Sequence, residues 1–219
     1  MTMLKTQPPR FISLEGGEGA GKSTQIKLLE TWLTAQGLEV YRTREPGGAP
    51  GAEEIRALLL KGAGDRWASM TEALLMTAAR AEHVERTIKP ALAAGRWVLC
   101  DRFADSSVAY QGAGRGLGVA RIRELQGFAL GDLTPDLTLI LDLPVEVGLG
   151  RAIARENEKS DMEDRFERMD KEFHERLRCA FLDIARAEPG RCVVINADQS
   201  LETLQSELQS VVLDRFGQG

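Results

Sequence analysis

A glycine-rich stretch near the N-terminus carries side chains and backbone amides that could bind phosphate. It fits the pattern G-x-x-x-x-G-K-[ST] at every fixed position and reads Gly16-Gly17-Glu18-Gly19-Ala20-Gly21-Lys22-Ser23. Glycines let the backbone turn tightly, so that successive N–H groups and the positive end of a following helix surround an anion. Lys22 would reach β- and γ-phosphate oxygens, and the Ser23 hydroxyl would ligate a bridging Mg²⁺. The alternative is a glycine-rich surface turn that happens to contain a lysine.

The flanking residues predict the elements that this loop requires. Arg10–Glu15 reads as a short buried strand, Lys22 to about Gln36 as a helix, and Leu38–Arg42 as a second strand. A strand, helix and strand of these lengths predict a right-handed parallel crossover. Further apolar strands are predicted at Trp97–Cys100, Leu137–Asp142 and Arg191–Ile195. Five strands alternating with helices predict an α/β fold, a three-layer sandwich with a five-stranded parallel sheet and the P-loop NTPase fold.

The remaining segments read mainly as helices and connecting loops. Ser69 and Glu72 fit a capping box for a helix that runs to about Ala94 and bends or ends near Pro90. The glycines of 112–118 predict a flexible loop. The other predictions are helices at Ala52–Lys61, Val119–Leu130, Val145–Arg155, Arg165–Ala187 and Ser200–Phe216, and a polar tract at Glu156–Asp164.

Charged residues follow the ends of several predicted strands, where open parallel sheets bind ligands. Asp101 ends the third strand and could supply a carboxylate to the Mg²⁺ shell, the alternative being a helix N-cap. Arg44, Arg102 and Arg115 lie in strand-end loops. Such cations are needed where two phosphate anions must approach each other. The chain contains neither the N-K-x-D run of GTPases nor the L-S-G-G-Q run of transporter ATPases. Together these patterns favour a kinase whose acceptor is itself a phosphate.

Composition restricts the class of protein further. A chain of 219 residues, 43% of them hydrophobic, can form one core, so we expect one domain over 1–219. The net charge of −5 argues against a nucleic-acid partner. The cysteines, Cys100, Cys179 and Cys192, fit free thiols in a reducing compartment. No run of about eighteen apolar residues predicts a membrane span, and the first nine residues lack the apolar region of a signal peptide. We therefore expect a cytoplasmic protein.

Several motifs occur in the order in which they occur in bacterial thymidylate kinases. They are Glu-Gly-Gly-Glu-Gly-Ala-Gly-Lys-Ser from Glu15, Thr-Arg-Glu-Pro-Gly-Gly from Thr43, Asp-Arg-Phe from Asp101, Ala-Tyr-Gln-Gly-Ala-Gly-Arg-Gly from Ala109, Pro-Asp-Leu-Thr-Leu from Pro135 and Asp-Arg-Phe-Glu from Asp164. The chain resembles this family over nearly its whole length. The resemblance implies phosphoryl transfer from ATP to dTMP with Mg²⁺, and a homodimer.

The resemblance also implies roles for residues of an acceptor site. Arg44 and Arg102 would hold the α-phosphate of dTMP, and Glu18 would bind the deoxyribose 3′-hydroxyl. A carboxylate among phosphates is repelled unless it binds a hydroxyl or a cation, the alternative being a solvated loop glutamate. Tyr110 would crowd the 2′ position and so exclude ribonucleotides. Because the acceptor oxygen is already ionised near pH 7, no general base is needed, and the two histidines, His83 and His174, are expected to be structural or solvated.

The base would be bound further along the cavity. The resemblance implies that Ser107 and Gln111 contact the base, that Arg80 binds a thymine carbonyl, and that Arg56 supports the base pocket. Without the resemblance, Arg56 and Arg80 would read as surface ion-pairing residues. The family usually has an aromatic residue three or four positions before this arginine, where the present chain has Met76 and Thr77. Met76 could place a thioether against the base, but we expect weaker or differently shaped stacking.

The segment from about 151 to 165 matches the family's LID, a mobile segment that closes over the nucleotides. Family members carry a catalytic arginine either beside the acidic residue of the phosphate loop or in the LID. Here Gly19 and Ala20 follow Glu18, so the LID is expected to supply it, with Arg155 and Arg165 as candidates and Arg151 behind them. Lys22 and Arg102 complete the predicted catalytic set. Two other functions stay open: a kinase for another pyrimidine nucleoside monophosphate, and a catalytically silent nucleotide-binding protein.

Overall fold

The computed structural model describes Leu4 and residues 7–60, 66–156 and 169–217, without the side chains of residues 155 and 156. In the described part, the strands form one parallel sheet in the order β2-β3-β1-β4-β5. They are β1 (Phe11–Gly16), β2 (Val40–Arg44), β3 (Trp97–Asp101), β4 (Leu137–Asp142) and β5 (Cys192–Asn196). The predicted five-stranded parallel α/β fold is confirmed. The strand order reverses at β1, so the crevice at its carboxyl end is where this architecture binds ligands.

Helices cover both faces of the sheet. They are α1 (Lys22–Ala35), α2 (Pro50–Leu60), α3 (Ser69–His83), α4 (Lys89–Ala93), α5 (Ala104–Ser107), α6 (Val119–Leu130), α7 (Val145–Glu156), α8 (Lys171–Ala187) and α9 (Leu201–Phe216). Two π-helical segments, Val84–Ile88 and Val108–Gly114, continue α3 into α4 and extend α5. No helix in the described residues is long and apolar enough to cross a membrane.

The central strands are apolar on both faces because each face is covered. On one face, Ile12 and Leu14 of β1 pack in a cluster with residues of α1 and α9 such as Leu29 and Leu208. On the other face, Phe11 packs edge-on against Phe103, with ring centroids 4.9 Å apart. A parallel sheet covered in this way fixes the strand ends relative to one another, and those ends carry the charged residues of the site.

Of two local predictions about α3 and the segment after it, one is wrong and the other is confirmed. No capping box forms, because Ala68 is the N-cap residue without a side-chain cap, and the buried Glu72 instead accepts hydrogen bonds from Gln111 and Arg115. The spacing of a capping box is the same as that of two residues facing one side of a helix, so the sequence alone does not separate them. The helical path continues through Pro90, which lies in the first turn of α4 after the π-helical segment, and ends at Ala93, so the predicted helical extent to about Ala94 is confirmed.

Other segments begin or end at residues that differ from those predicted from the sequence. The strand predicted at Leu38–Arg42 is β2, two residues later, which places Thr43 and Arg44 inside the strand. The predicted flexible loop at 112–118 is π-helical up to Gly114, because Gly114 packs against the Phe173 ring rather than serving a turn. The helix predicted from Arg165 begins, in the described residues, at Lys171, where the Asp170 carboxylate caps it by accepting from the Phe173 N–H at 2.7 Å. Residues 165–168 lie outside the described part of the chain.

The glycine-rich loop after β1 rests directly on α7. Gly19 has a φ of 69°, and a Cβ on it would lie 2.1 Å from the Gly148 carbonyl oxygen. A Cβ on Gly148 would in turn lie 2.5 Å from the Glu18 carbonyl oxygen. Both distances are shorter than real Cβ contacts and involve backbone, so each backbone fits against the other only because both residues are glycines.

We predict that Gly148→Ala lowers the free energy of unfolding by about 1–3 kcal/mol, because the methyl group pushes the loop away from α7. In an ordinary helix interior the same change raises it by roughly 0.5–1 kcal/mol. Gly150→Ala is the matched control, since it lies in the same helix and its Cβ would meet nothing within 4 Å. Urea denaturation of both variants measures the difference. Equal changes in the two variants would contradict this packing.

Candidate active site

A cavity of about 470 Å³ opens at the carboxyl ends of β1, β2 and β3. Its walls include the glycine-rich loop, the start of α1 and the side chains of Arg44, Asp101 and Arg102. Every residue predicted for the acceptor side lines it, namely Glu18, Arg44, Arg56, Met76, Arg80, Arg102, Ser107, Tyr110 and Gln111. Residues from five separate segments of the sequence therefore lie around one space large enough for a nucleotide.

The glycine-rich loop has the backbone conformation that anion binding requires. Gly19 and Gly21 have positive φ angles of 69° and 88°, and α1 begins immediately after them at Lys22. The Lys22 ammonium donates hydrogen bonds to the carbonyl oxygens of Gly16 and Gly17, at 3.0 and 2.7 Å. Burial and the neighbouring Arg102 guanidinium lower the pKa of Lys22 to about 8, although Glu18 acts in the opposite direction.

Ser23 and Asp101, the two predicted metal ligands, are in direct contact. The Ser23 hydroxyl donates to Asp101 Oδ2 at 2.7 Å. The N-cap interpretation of Asp101 is wrong, because Asp101 is the last residue of β3 and Phe103 is the N-cap residue of α5. Two oxygen ligands side by side at the edge of a phosphate loop suit a hard cation such as Mg²⁺.

Glu18 is the centre of a charged cluster rather than a solvated loop residue. Its Oε1 accepts from Arg102 Nη2 at 2.8 Å and from the Tyr110 hydroxyl at 2.5 Å. Burial opposes ionisation of Glu18, but the cations of Arg102 and Lys22 outweigh it and lower the pKa to about 2. Among the described residues, the other oxygen, Oε2, accepts no hydrogen bond. Glu18 is therefore an ionised acceptor at any ordinary pH.

A buried carboxylate holds the turn that carries Arg102. Arg102 has a φ of 72°, which is uncommon for a residue with a side chain. Glu15, at the end of β1, accepts from the Phe103 N–H at 2.7 Å and from the Ser106 hydroxyl at 2.6 Å. Burial, with a smaller contribution from Asp105, raises the pKa of Glu15 to about 7. Sequence reasoning missed Glu15, which appears there only as a polar residue ending an apolar strand.

Arg80 lies at the opposite end of the cavity, where it donates four hydrogen bonds within the protein. It donates to Glu45 Oε2 at 2.5 Å, to Ser107 Oγ at 2.8 Å, to Gln126 Oε1 at 2.9 Å and to the Phe103 carbonyl at 3.0 Å. Only 3% of its side chain is exposed, so the surface ion-pair interpretation is wrong.

A histidine continues this network. His83, fully buried, contacts Glu45 Oε1 at 2.9 Å through Nδ1 and Thr43 Oγ1 at 2.7 Å through Nε2. The chain of contacts from Arg80 through Glu45 to Thr43 links α3 to the end of β2. His83 thus ties together two elements of the cavity wall.

The arginines nearest the entrance are held by the loop after β2. Arg44 Nη2 donates to Glu53 Oε2 at 3.1 Å, and 54% of the Arg44 side chain is exposed. Glu53 also accepts from the Gly48 N–H at 2.8 Å. Arg56 Nη1 donates to the Pro46 carbonyl at 2.7 Å. Arg56 therefore supports the loop through its backbone.

Sequence reasoning singled out four further arginines, of which Arg115 and Arg151 do not line the cavity. Arg115 is paired with Glu72, with Nη2 and Oε2 3.0 Å apart, so the expectation that it meets a phosphate at the strand ends is not met. Arg155 lies at the end of α7 with its side chain outside the described part, and Arg165 lies wholly outside it. Arg151, also on α7, donates to the Ala197 carbonyl at 3.3 Å.

The site contains an anion-binding loop with a lysine at the edge of a parallel sheet, and a second group of arginines faces the same cavity. These features define a P-loop kinase of the class that phosphorylates nucleoside monophosphates. The thymidylate kinase family model matches residues 14–208. The thymidylate kinase of Caulobacter vibrioides is 57% identical over 207 residues, which are 94% of this chain and 97% of that one. That of Rhizorhabdus wittichii is 52% identical over 94% of this chain and 98% of its own.

A solved structure of a thymidylate kinase is also similar to this chain. The crystal structure of thymidylate kinase from Ehrlichia chaffeensis superposes with a TM-score of 0.75 at 35% identity and covers 94% of this chain and 98% of that chain. The chain belongs to the thymidylate kinase family, and the resemblance drawn from the sequence motifs is confirmed.

Proposed function

We propose that this protein transfers the γ-phosphoryl group of ATP to dTMP, giving dTDP and ADP. Membership of the thymidylate kinase family supports this reaction, and nothing in the comparisons favours another acceptor or a silent protein. The observation that carries the residue assignments is the single cavity in which Lys22 and the phosphate loop lie near Arg102 and Glu18. A donor anion and an acceptor anion can be held next to each other there.

On the donor side, the loop from Gly16 to Ser23 holds the phosphates of ATP. The backbone amides and the N-terminus of α1 supply positive potential, and Lys22 exchanges its carbonyl partners for phosphate oxygens. Ser23 and Asp101 hold Mg²⁺, because their adjacent oxygens are the ligands that this ion prefers. When bound, the ion neutralises charge on the β- and γ-phosphates.

On the acceptor side, Arg102 and Arg44 bind the phosphate of dTMP. Arg102 donates to the Gly16 carbonyl and to Glu18, both in the phosphate loop, so a phosphate bound to it is near the γ-phosphate of ATP. Arg44 is half exposed and paired only at the surface with Glu53, so it can turn to a phosphate at little cost. The acceptor oxygen is already ionised near pH 7, so catalysis consists of holding two anions in line and compensating their charge.

Glu18 and Tyr110 select the sugar. The Glu18 Oε2 atom is available for the 3′-hydroxyl because Oε1 is occupied by Arg102 and Tyr110. Tyr110 is held by this hydrogen bond and packs near Phe173, with ring centroids 6.1 Å apart. A ring fixed in this way leaves little room for a 2′-hydroxyl, which favours a deoxyribonucleotide.

The base lies between Met76 and the polar side chains at the far end. Arg80 uses four hydrogen bonds inside the protein, and one N–H of its Nη2 atom remains for a thymine carbonyl. Ser107 and Gln111 contact the base, and Arg56 supports this wall by holding the Pro46 carbonyl. Met76 takes the position of an aromatic residue and packs its thioether on the ring.

A LID arginine completes the charge compensation. The phosphate loop has Gly19 and Ala20 after Glu18, so the loop itself offers no guanidinium. We therefore retain Arg155 and Arg165 as the candidates, on a LID at about 151–165 of a single kinase domain. Closure of such a segment would also keep water from the γ-phosphate.

Three adjacent helices form a face that suits a homodimer. Leu58 on α2, Leu74 on α3 and Phe128 on α6 are 42%, 51% and 92% exposed, and α3 packs against both other helices. Large apolar side chains exposed together on neighbouring helices mark an interaction surface. A second copy of the chain is the partner that the family resemblance implies.

Replacing Arg102 tests the acceptor site. We predict that Arg102→Ala lowers kcat/KM for dTMP by about 10²–10³-fold, because the acceptor phosphate loses a charged hydrogen-bond donor. Affinity for an ATP analogue changes less than about threefold. A coupled assay with dTMP, dUMP, UMP and CMP measures kcat/KM for the native protein and for Arg102→Ala. The control is Arg186→Ala, which replaces an exposed arginine on α8. Near-normal transfer by Arg102→Ala would exclude this role.

The lowered pKa of Lys22 predicts proton uptake on binding a nucleoside triphosphate. In the free protein about half of Lys22 is neutral at pH 8, since its pKa is about 8. Phosphate oxygens raise that pKa, so binding a Mg²⁺–ATP analogue takes up about half a proton at pH 8 and less than about 0.1 at pH 7. Calorimetry in buffers of different ionisation enthalpy gives the number of protons taken up on binding. Lys22→Met should show no such pH-dependent uptake, and uptake that persists in this variant would contradict the assignment.

Charging the shared face tests the dimer. We predict that Leu74→Glu raises the dimer dissociation constant by at least about 100-fold, because burying a carboxylate at the centre of an apolar interface is costly. Size-exclusion chromatography with light scattering gives the mass. Leu213→Glu on α9, a position exposed to 40%, is the control that leaves the dimer intact. A mass that does not differ between Leu74→Glu and the native protein would reject this face.

A further inference from the structure

Glu72 is a fully buried carboxylate at the base end of the cavity, and the proposed reaction gives it no role. It lies in the first turn of α3, one turn before Met76. Its Oε1 accepts from Gln111 Nε2 at 3.0 Å and from Arg115 Nε at 3.3 Å, and its Oε2 accepts from Arg115 Nη2 at 3.0 Å. Even a paired buried acid loses its hydration, and apolar residues of similar volume often stabilise a protein as well, so packing alone does not explain this arrangement.

The carboxylate determines which end of the Gln111 amide faces the cavity. An ionised carboxylate only accepts hydrogen bonds, whereas the Gln111 amide has a donor NH₂ group on one side and an acceptor oxygen on the other. The NH₂ group therefore faces Glu72, and the carbonyl oxygen Oε1 is directed away from it. Among the described residues Oε1 accepts no hydrogen bond, and Gln111 lines the cavity beside Met76 and Ser107. Its oxygen is available to a ligand.

Arg115 keeps the carboxylate in this orientation. It binds both oxygens of Glu72, which fixes the plane of the carboxylate and balances its charge. The guanidinium is itself placed over the Phe173 ring, 5.8 Å from its centroid, and 15% of its side chain is exposed. The pair therefore provides a rigid, charge-balanced acceptor behind Gln111.

A fixed acceptor oxygen distinguishes the pyrimidine bases. Thymine and uracil carry an N3–H donor at the edge between their carbonyl groups, whereas cytosine has an unprotonated N3 acceptor and an amino group there. We propose that Glu72 is a positioning residue for base selectivity: it holds the Gln111 amide with its oxygen towards the base and so favours bases with an imide N–H over cytosine. This inference rests on the proposed function, in which this end of the cavity holds the acceptor's base.

The test is Glu72→Gln, which keeps the size of the side chain. A carboxamide has one acceptor oxygen and a donor NH₂ group, so it no longer holds the Gln111 amide in one orientation. We expect the KM for dTMP to rise about tenfold with kcat changed less than about threefold, and kcat/KM for dCMP to rise. The selectivity ratio of dTMP over dCMP should fall at least about 30-fold. Glu82→Gln, an exposed site on the same helix, is the matched control and keeps the ratio.

A double-mutant cycle separates positioning from general damage to the pocket. In a Gln111→Leu background the reading amide is gone, so adding Glu72→Gln should change the ratio less than about threefold. An equal fall in both backgrounds would overturn the proposal. If Glu72→Gln does not fold, Glu72→Asp serves, because it keeps the charge but withdraws it from Gln111 by one methylene; it should lower the ratio in the same direction, and an unchanged ratio would overturn the proposal.

The outcomes also separate this inference from the function on which it rests. A native enzyme that transfers nothing to dTMP would reject the proposed function itself. A native enzyme that prefers dTMP, together with a folded Glu72→Gln variant that prefers it equally, would reject only the role of Glu72. Thermal unfolding of every variant, recorded alongside the kinetics, shows which variants are folded.

Discussion

The acceptor side of the site depends on one buried hydrogen-bonded carboxylate, Glu15. It joins the end of β1, where the phosphate loop starts, to the turn after β3. That turn carries Arg102, and the helical segment that follows it carries Ser107, Tyr110 and Gln111. Together with the pairing of β1 and β3 and the contacts of Arg102 with the loop, this side chain fixes the donor and acceptor subsites to each other. Since misplacing a reacting group by about 1 Å can cost about a hundredfold in rate, such a rigid connection has catalytic value.

The cations of the site are paired within the protein before any nucleotide binds. Lys22 contacts loop carbonyls, Arg102 contacts Glu18, and Arg44 contacts Glu53. Unpaired buried charge is costly, so these internal partners stabilise the empty site. The bonds differ in how easily a phosphate replaces them. The carbonyl partners of Lys22 are neutral, and the ion pair of Arg44 with Glu53 is exposed, so a phosphate can replace either partner. Glu18 can instead keep Arg102 oriented while the Nη1 atom of Arg102 turns to a ligand. Binding an anion thus exchanges partners rather than creating charge compensation anew.

The sequence allowed prediction of the fold and of the residues that face a ligand, because both follow from strong local patterns. Five apolar strands alternating with helices are readable from periodicity, and the loop from Gly16 to Ser23 follows from fixed spacing. The supporting residues are different. Glu15, Glu45 and Glu72 are carboxylates inside apolar or helical patterns, and their hydrogen-bond partners lie 35 to 91 positions away in the sequence. No local pattern distinguishes a buried acid from a solvated one, which is why the sequence predicts a capping box at Glu72.

These three buried carboxylates have a common physical function. Glu15 holds the turn of Arg102, Glu45 holds Arg80, and Glu72 holds Gln111. An amide or a hydroxyl could fill the same space, but each can both donate and accept, so its partner could adopt two orientations. An ionised carboxylate accepts only, so every group bonded to it must present a donor; for Glu15, whose pKa burial raises to about 7, this holds in the ionised form. The free energy lost in burying the acid is offset by hydrogen bonds to charged or polar partners, and the side chain that meets the nucleotide is left with one orientation. The selectivity of such a site then resides in acids that never touch the substrate.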